Sequence, residues 1–221
     1  MRKYKVIYAD PPWRYDFAET NNRKIENQYP TMSLEEIKNL SVRDIADTNC
    51  VLYLWATAPK LLEAIDVIKS WGFKYKTHAI WDKEIIGMGY WFRGQHELLI
   101  VATKGKISPP NSNIRKSSIL KYRRTKHSRK PDEIRELISL WFPEVNKIEL
   151  FARKRIKGWD CWGDEVKSDT ALVSNSSPDK SGSFNRNLKD LSADKSQISA
   201  NAETSLNSDI LSEIGGFTRK R

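Results

Sequence analysis

Apolar positions along this chain follow two periods in alternation. Lys5-Val6-Ile7-Tyr8-Ala9 predicts a strand that stops at Asp10-Pro11-Pro12, because paired prolines cannot continue a sheet ladder. Ser33-Leu34-Glu35-Glu36 is a capping-box sequence and predicts a short helix to about Leu40. The unbroken apolar run over residues 50–56 predicts a strand covered on both faces. Pro59, then Leu61, Leu62, Ile65 and Ile68 at helical spacing, then Gly72, predict a helix with a defined start and stop. Strands are expected over residues 75–81 and 97–102. Pro131-Asp132-Glu133 opens a second helix with Ile134, Leu137, Ile138 and Trp141 on one face, stopped by Pro143. Lys147-Ile148-Glu149-Leu150-Phe151 is the last strand.

Strands alternating with helices imply right-handed crossovers, hence an α/β fold with a mostly parallel sheet and helices on both faces. Ligands in such sheets bind beyond the carboxyl ends of the strands. Asp10, directly after the first strand, therefore stands where chemistry is expected.

The pattern dissolves after Val166. Residues 168–221 hold twelve serines and few aromatics, which divides the 221-residue chain into a domain over 1–166 and a low-complexity tail over 167–221 expected to be disordered. Leu206, Ile210, Leu211, Ile214 and Phe217 would make one apolar face of a short helix, leaving open either a protein partner docking there or a frayed end. No apolar run is long enough for a membrane-spanning helix, and only five apolar residues precede Asp10, so no secretory leader is expected there. Cys50 and Cys161 form neither a disulfide framework nor a metal-ligand spacing. His96 and His127 are candidate pocket residues without metal partners at ligand spacing, and His78 reads as structural or surface. A reducing, cytoplasmic setting without a bound metal is expected.

Charge adds a partner. The net charge is +10, and residues 1–166 hold +9 of it. Residues 98–131 carry ten Lys or Arg and no Asp or Glu, which points to a polyanion, with nucleic acid ahead of membrane because no amphipathic helix accompanies the run. Arg115, Lys116, Lys121, Arg123, Arg124 and Lys126 are the candidate phosphate contacts.

Asp10-Pro11-Pro12-Trp13 is the sharpest chemical feature. Prolines lack N–H groups and have fixed φ, so their carbonyls are expected to point outward with no competing local donor. A carboxylate, a rigid carbonyl and a flat indole suit an aromatic ring bearing an NH2 group. Two hydrogen bonds from that amine would favour a pyramidal nitrogen and aim its lone pair out of the ring plane, so catalysis would consist of positioning and electrostatics. The same residues also suit a plain strand-ending turn with Trp13 in the core.

Further blocks follow in order: Tyr29-Pro30-Thr31-Met32-Ser33, Leu52-Tyr53-Leu54-Trp55, Trp71-Gly72-Phe73, Ile80-Trp81-Asp82-Lys83, Gly94-Gln95-His96-Glu97-Leu98-Leu99, Lys104-Gly105, His127-Ser128-Arg129-Lys130-Pro131-Asp132-Glu133, Glu149-Leu150-Phe151-Ala152-Arg153 and Gly158-Trp159-Asp160-Cys161-Trp162-Gly163-Asp164-Glu165. From about Lys5 to Val166 the chain resembles the MT-A family of N6-adenine methyltransferases. Its Gly-Trp-Asp-x-Trp-Gly ending looks more like the prokaryotic or phage members than the eukaryotic one.

The resemblance implies a permuted Rossmann-like methyltransferase fold and S-adenosylmethionine-dependent methylation of an adenine amine in nucleic acid, DNA favoured over RNA. It implies a catalytic role for Asp10, Pro11, Pro12 and Trp13, and an active-site loop aromatic in Tyr29. Trp55 and Trp81 match pocket aromatics, although both also read as core. Asp10, Lys130, Arg153, Asp164 and Glu165 fall at cofactor positions. Asp164 departs from the usual Asn, and Lys154-Arg155-Ile156 from the eukaryotic Pro-His-Asn. Two other functions stay open: a non-catalytic nucleic-acid scaffold, which the intact Asp-Pro-Pro-Trp disfavours, and methylation of another amine, such as cytosine N4 or a protein amide.

Overall fold

The computed structural model describes residues 2–15, 30–89, 91–124 and 129–173. Strand β1 (Tyr4–Ala9) lies centrally in a sheet of seven strands among these residues, paired in parallel with β2 (Ala46–Ala56) on one side and β6 (Lys147–Leu150) on the other. With β3 (Lys74–Asp82), β4 (His96–Lys104), β5 (Ile119–Lys121) and β7 (Asp160–Trp162), the order is β5-β3-β4-β2-β1-β6-β7. Strand β4 runs antiparallel to β2 and β3, and every other pairing is parallel.

The inner parts of the central strands, residues 6–9 of β1 and 50–56 of β2, are buried on both faces because successive side chains enter different layers. Ile7, Ala9, Leu52 and Leu54 join one core cluster, with Ile37 of α1 (Leu34–Lys38), Val42 of α2 (Val42–Ile45) and Ala64, Val67 and Ile68 of α3 (Leu61–Ser70). Val6, Tyr8, Val51, Tyr53 and Trp55 join the other, with Ile134 and Ile138 of α4 (Asp132–Trp141). The α/β fold with helices on both faces is as expected. Ser33 and Glu36 close the capping box, with Ser33 N–H donating to Glu36 at 2.7 Å. Gly72, at φ 82°, stops α3 as expected.

Several boundaries differ from the pattern. Leu62 is 79% exposed, and Ala64 and Val67 take the buried face of α3 instead. Strand β2 begins at Ala46, ahead of the apolar run, because ladder pairing with Tyr4 extends it through polar residues. Phe151 adopts φ 61° and so leaves the strand at Leu150. The short β5, β7 and α2 have too few apolar positions to show a period.

Past Val166, the expected start of a disordered tail, residues 167–173 are bonded to the rest of the fold. Asp169 accepts the Cys161 N–H at 3.0 Å, Val173 and Ser41 exchange two hydrogen bonds, and Leu172 packs on the core. Residues 174–221, including the proposed docking face at Leu206 to Phe217, lie outside the described residues.

Gly105 turns the chain at the end of β4, with φ 65°. A Cβ there would lie 2.1 Å from the Thr48 carbonyl oxygen. Both backbone strain and a rigid clash oppose any side chain. Gly105→Ala is expected to lower stability by at least about 2 kcal/mol, read as a reduced midpoint of urea unfolding with an unchanged slope. An unchanged midpoint would show that this turn relaxes freely.

Candidate active site

Asp10 leaves β1 at the carboxyl edge of the sheet, and a partly buried charge cluster surrounds it. Lys130 Nζ stands 2.8 Å from each Asp10 carboxylate oxygen. It also lies 3.2 Å from Glu97, which pairs with Lys83 at 2.9 Å. Two carboxylates and two ammonium groups make the quartet formally neutral. Burial opposes the Lys130 charge, but the Asp10 and Glu97 carboxylates outweigh it and hold its pKa above the usual lysine value. Burial likewise opposes Glu97 ionisation, and Lys130 and Lys83 overcome this to depress its pKa. For Asp10 burial wins: its pKa is raised, with Lys130 offsetting only part and Glu97 adding to the rise.

Antiparallel β4 is what delivers Glu97. Its first residues lie at the edge where its neighbours end, with Trp81 opposite Glu97 and Ala56 opposite Leu98. Sequence reasoning leaves Lys83 and Glu97 without a role, since nothing in the pattern gives the direction of β4.

The Asp-Pro-Pro-Trp turn is more internally bonded than its sequence suggests. Trp13 N–H donates to the Pro11 carbonyl at 2.9 Å, so that carbonyl does have a local donor and keeps one lone pair. The Pro12 carbonyl accepts from Met32 N–H at 2.9 Å, and a parallel bridge joins Trp13 to Met32. Trp13 itself is buried, with its indole N–H on the Trp55 carbonyl at 3.1 Å. It anchors the turn instead of presenting a stacking face. Pro30-Thr31-Met32-Ser33 thus serves as the strap that holds the turn.

Trp55 and Trp81, expected as pocket aromatics, are also buried completely. They meet edge-to-face at 5.8 Å, and Lys130 and Lys83 sit over their rings at 5.6 and 5.7 Å. Their faces are occupied by the site's own cations, so they form its floor. Trp71 is core, as read, with its indole N–H on the Ile37 carbonyl.

Among the remaining candidates, Arg153 pairs with Glu165 at 3.6 Å. The segments that carry them are joined by Ala152 N–H on the Trp162 carbonyl, and Asp164 is adjacent and exposed. The Arg153 charge is near enough to favour Asp10 ionisation. Arg123 and Arg124 follow β5 at the same edge, where Arg124 N–H donates to the Lys83 carbonyl at 3.1 Å. Tyr29 and Lys126 lie outside the described residues. The departing Lys154 and Arg155 hold Asp132 at 2.9 Å and Asp169 at 2.8 Å. Among the described residues, no three His, Cys, Asp or Glu side chains gather where they could hold a metal ion.

The acid-free basic stretch is not a single patch. Lys104 ends β4 at the opposite edge, where it donates to the Arg43 and Ala46 carbonyls, and Lys106 N–H bonds Asn49. The Ile114 carbonyl bonds Trp141 at the far end of α4, and Arg115 is held on the Pro110 carbonyl. Of the phosphate candidates that are described, Lys121, Arg123 and Arg124 reach the site's edge.

The α/β sheet with Asp-Pro-Pro-Trp at its carboxyl edge is consistent with the methyltransferase fold that the resemblance implies, and comparison with known proteins gives the family. Residues 4–165 match the MT-A70 family model. The chain is 38% identical over 183 residues to the Type II methyltransferase M.MunI of Mycoplasma sp, covering 75% of this chain and 78% of that one. It is 32% identical over 162 residues to the N(6)-adenosine-methyltransferase MT-A70-like protein of Drosophila melanogaster and 30% identical to the catalytic subunit METTL3 of Homo sapiens. It spans only 25% and 26% of those two relatives. The chain belongs to the MT-A70 family of methyltransferases.

Lys130→Met would leave Asp10 and Glu97 buried without their shared counter-charge, a loss of about 3–5 kcal/mol at neutral pH. Asp10, already raised by burial, would then have a folded-state pKa still further above its unfolded one, while Glu97 keeps its pairing with Lys83. Such a raised group contributes stability at low pH that is lost as pH rises through the folded pKa. Relative to wild type, the variant is therefore expected to regain stability between pH 7.5 and pH 5, measured by urea unfolding. A deficit independent of pH would contradict the quartet.

Proposed function

We propose that this enzyme transfers a methyl group from S-adenosylmethionine to the exocyclic N6 amine of adenine in nucleic acid, with DNA as the preferred substrate. The observation that carries the reading is Asp10, held by Lys130 at 2.8 Å directly beside the strapped Pro11-Pro12 turn. A fixed carboxylate and the remaining lone pair of the Pro11 carbonyl form two acceptors for one NH2 group. The preference for DNA rests on the prokaryotic-type ending and on the higher identity to the Mycoplasma enzyme than to the adenosine methyltransferases.

The donor set fits the cofactor. Its amino-acid end carries both charges, and the alternating carboxylates and ammoniums at the edge (Asp10, Glu97, Lys130, Lys83) match them. Arg153, Asp164 and Glu165 supply a cation and acceptors for ribose hydroxyls. When bound, S-adenosylmethionine supplies an electrophilic methyl group. Asp10 and Pro11 accept the amine protons and turn the nitrogen lone pair out of the ring plane. The raised pKa of Asp10 also makes its carboxylate a better acceptor than an exposed aspartate for the proton the amine releases. An adenine paired in a duplex must leave its stack to reach Asp10.

The test pairs labelled S-adenosylmethionine with matched DNA and RNA pools. Asp10→Asn keeps the shape but removes the charge, and methyl transfer is expected to fall about 100- to 1000-fold. Transfer to neither pool by wild type would overturn the function, and undiminished transfer by Asp10→Asn would overturn the role of the carboxylate. Arg123→Ala is expected to weaken binding at every sequence and to reduce the slope of log affinity against log salt by about 0.9 on duplex DNA or about 0.7 on single strands. An unchanged slope would remove Arg123 from the phosphate contacts.

A further inference from the structure

The connection between β3 and β4 projects from the site's edge and carries apolar side chains that no described residue covers. Met88, Trp91 and Phe92 are 84%, 95% and 91% exposed. The segment that presents them is built. Lys83 N–H bonds the Gln95 carbonyl at 2.9 Å, and Gly87 N–H the Gly94 carbonyl at 2.8 Å, so the antiparallel pairing of β3 with β4 continues outward as a hairpin. Asp82 pins its base by accepting from Glu84 N–H and from the Gln95 side chain. Near its tip a Cβ on Gly89 would lie 2.0 Å from the Phe92 carbonyl oxygen, so this close approach admits only glycine.

The hairpin springs from the catalytic cluster. Lys83 and Glu97, at its two feet, are ion-paired, and Glu97 bonds the Lys130 that holds Asp10. Trp91 lies six residues from Glu97 and so reaches up to about 20 Å from it at strand rise. One cation adjoins the aromatics: Arg93 follows Phe92 and is fixed by its Nε on the Gly87 carbonyl at 3.0 Å, while Arg124 holds the hairpin's foot through its backbone N–H on the Lys83 carbonyl. Exposed indole and phenyl rings beside a guanidinium group match a nucleic acid strand, whose bases offer π-faces and whose backbone offers negative charge.

We propose that Trp91 and Phe92 stack on unpaired bases of the nucleic-acid substrate flanking the target adenine, and thereby stabilise the strand in its unstacked form. The inference rests on the nucleic-acid reading above and deepens it. In free nucleic acid the neighbours of an extruded base lose a stacking partner, and these rings replace it.

Trp91→Ala, Phe92→Ala, the double variant and Trp91→Phe are compared with wild type on single-stranded DNA and RNA pools carrying 2-aminopurine beside a single adenine. Base–aromatic stacking predicts about 5- to 150-fold weaker binding for Trp91→Ala, with most of the affinity retained by Trp91→Phe. Bound wild type is expected to change the 2-aminopurine fluorescence, and Trp91→Ala to lose that change. KM for nucleic acid should rise while KM for S-adenosylmethionine stays constant. The DNA and RNA arms show which strand supplies the bases. If wild type methylates a pool while the alanine variants bind it unchanged, the stacking role is overturned and the function stands. Wild type that binds and methylates neither pool overturns both. Variants that keep full affinity but lose self-association in sedimentation assign these rings to a second copy of the chain and overturn the proposal.

Discussion

The ion pair between Asp10 and Lys130 is the constraint on which the rest of the site depends. Each buried charge carries a desolvation penalty of several kcal/mol, recovered only with good geometry and further partners. Without Lys130, burial would push the Asp10 pKa up further, and an Asp10–Lys130 pair beside Glu97 alone would leave one negative charge in excess. Lys83 removes that excess. The reversal of β4 is what brings Glu97 to this edge, since a parallel strand would place its beginning on the opposite side. The buried rings of Trp55 and Trp81 then serve electrostatics as well as packing, because each ring face lies under one of the two ammonium groups.

A second set of charges fixes Lys130 from outside. Asp132 opens α4 and receives Arg129, Arg135 and Lys154. Burial works against its charge, yet those three cations overcome it and hold its pKa well below the usual carboxylate range. Asp132 thereby ties the Arg129-Lys130-Pro131 segment to the loop after β6, so that the lysine reaching Asp10 is set by the first turn of a helix. Arg135 continues inward to a two-pronged bond with Glu149 and lies over the Tyr8 ring at 5.8 Å, beneath the residues that end at Asp10. The departure at Lys154 from the eukaryotic Pro-His-Asn block is an added anchor in this network.

Legibility in the sequence followed the kind of information each feature requires. The two-faced strands, the capping box and the Gly72 stop were readable because they depend on neighbours within a few residues. The resemblance assigns Lys130 to the cofactor, whereas its bonds to Asp10 and Glu97 depend on the packing and are not legible in the sequence. Lys83 and Glu97 were hidden because strand direction is a long-range property: the same apolar run serves a parallel or an antiparallel strand. Trp13, Trp55 and Trp81 were read for their chemistry, and an indole suits a binding face or a core equally well. Only the packing reveals that all three are covered. Proline's missing N–H predicts a Pro11 carbonyl free of local donors, but the donor comes from Trp13, two residues on.

The distribution of positive charge bears on how such a site would hold a polyanion. An acid-free stretch of this length suggests a continuous phosphate track, but the fold sends Lys104 and Lys106 to one edge of the sheet and Lys121, Arg123 and Arg124 to the other. The quartet at the site is neutral and adds little attraction of its own. Non-specific affinity scales with the number of phosphates neutralised, so an edge with a few such cations gains only a few contacts from them. The binding free energy that is not electrostatic must then come from the bases. Apolar surface bordering the described site for that purpose is concentrated on the hairpin between β3 and β4, where Trp91 and Phe92 remain in water in the free protein. A substrate held through its bases is also one whose bases are unstacked, the condition an exocyclic amine requires before it can reach Asp10.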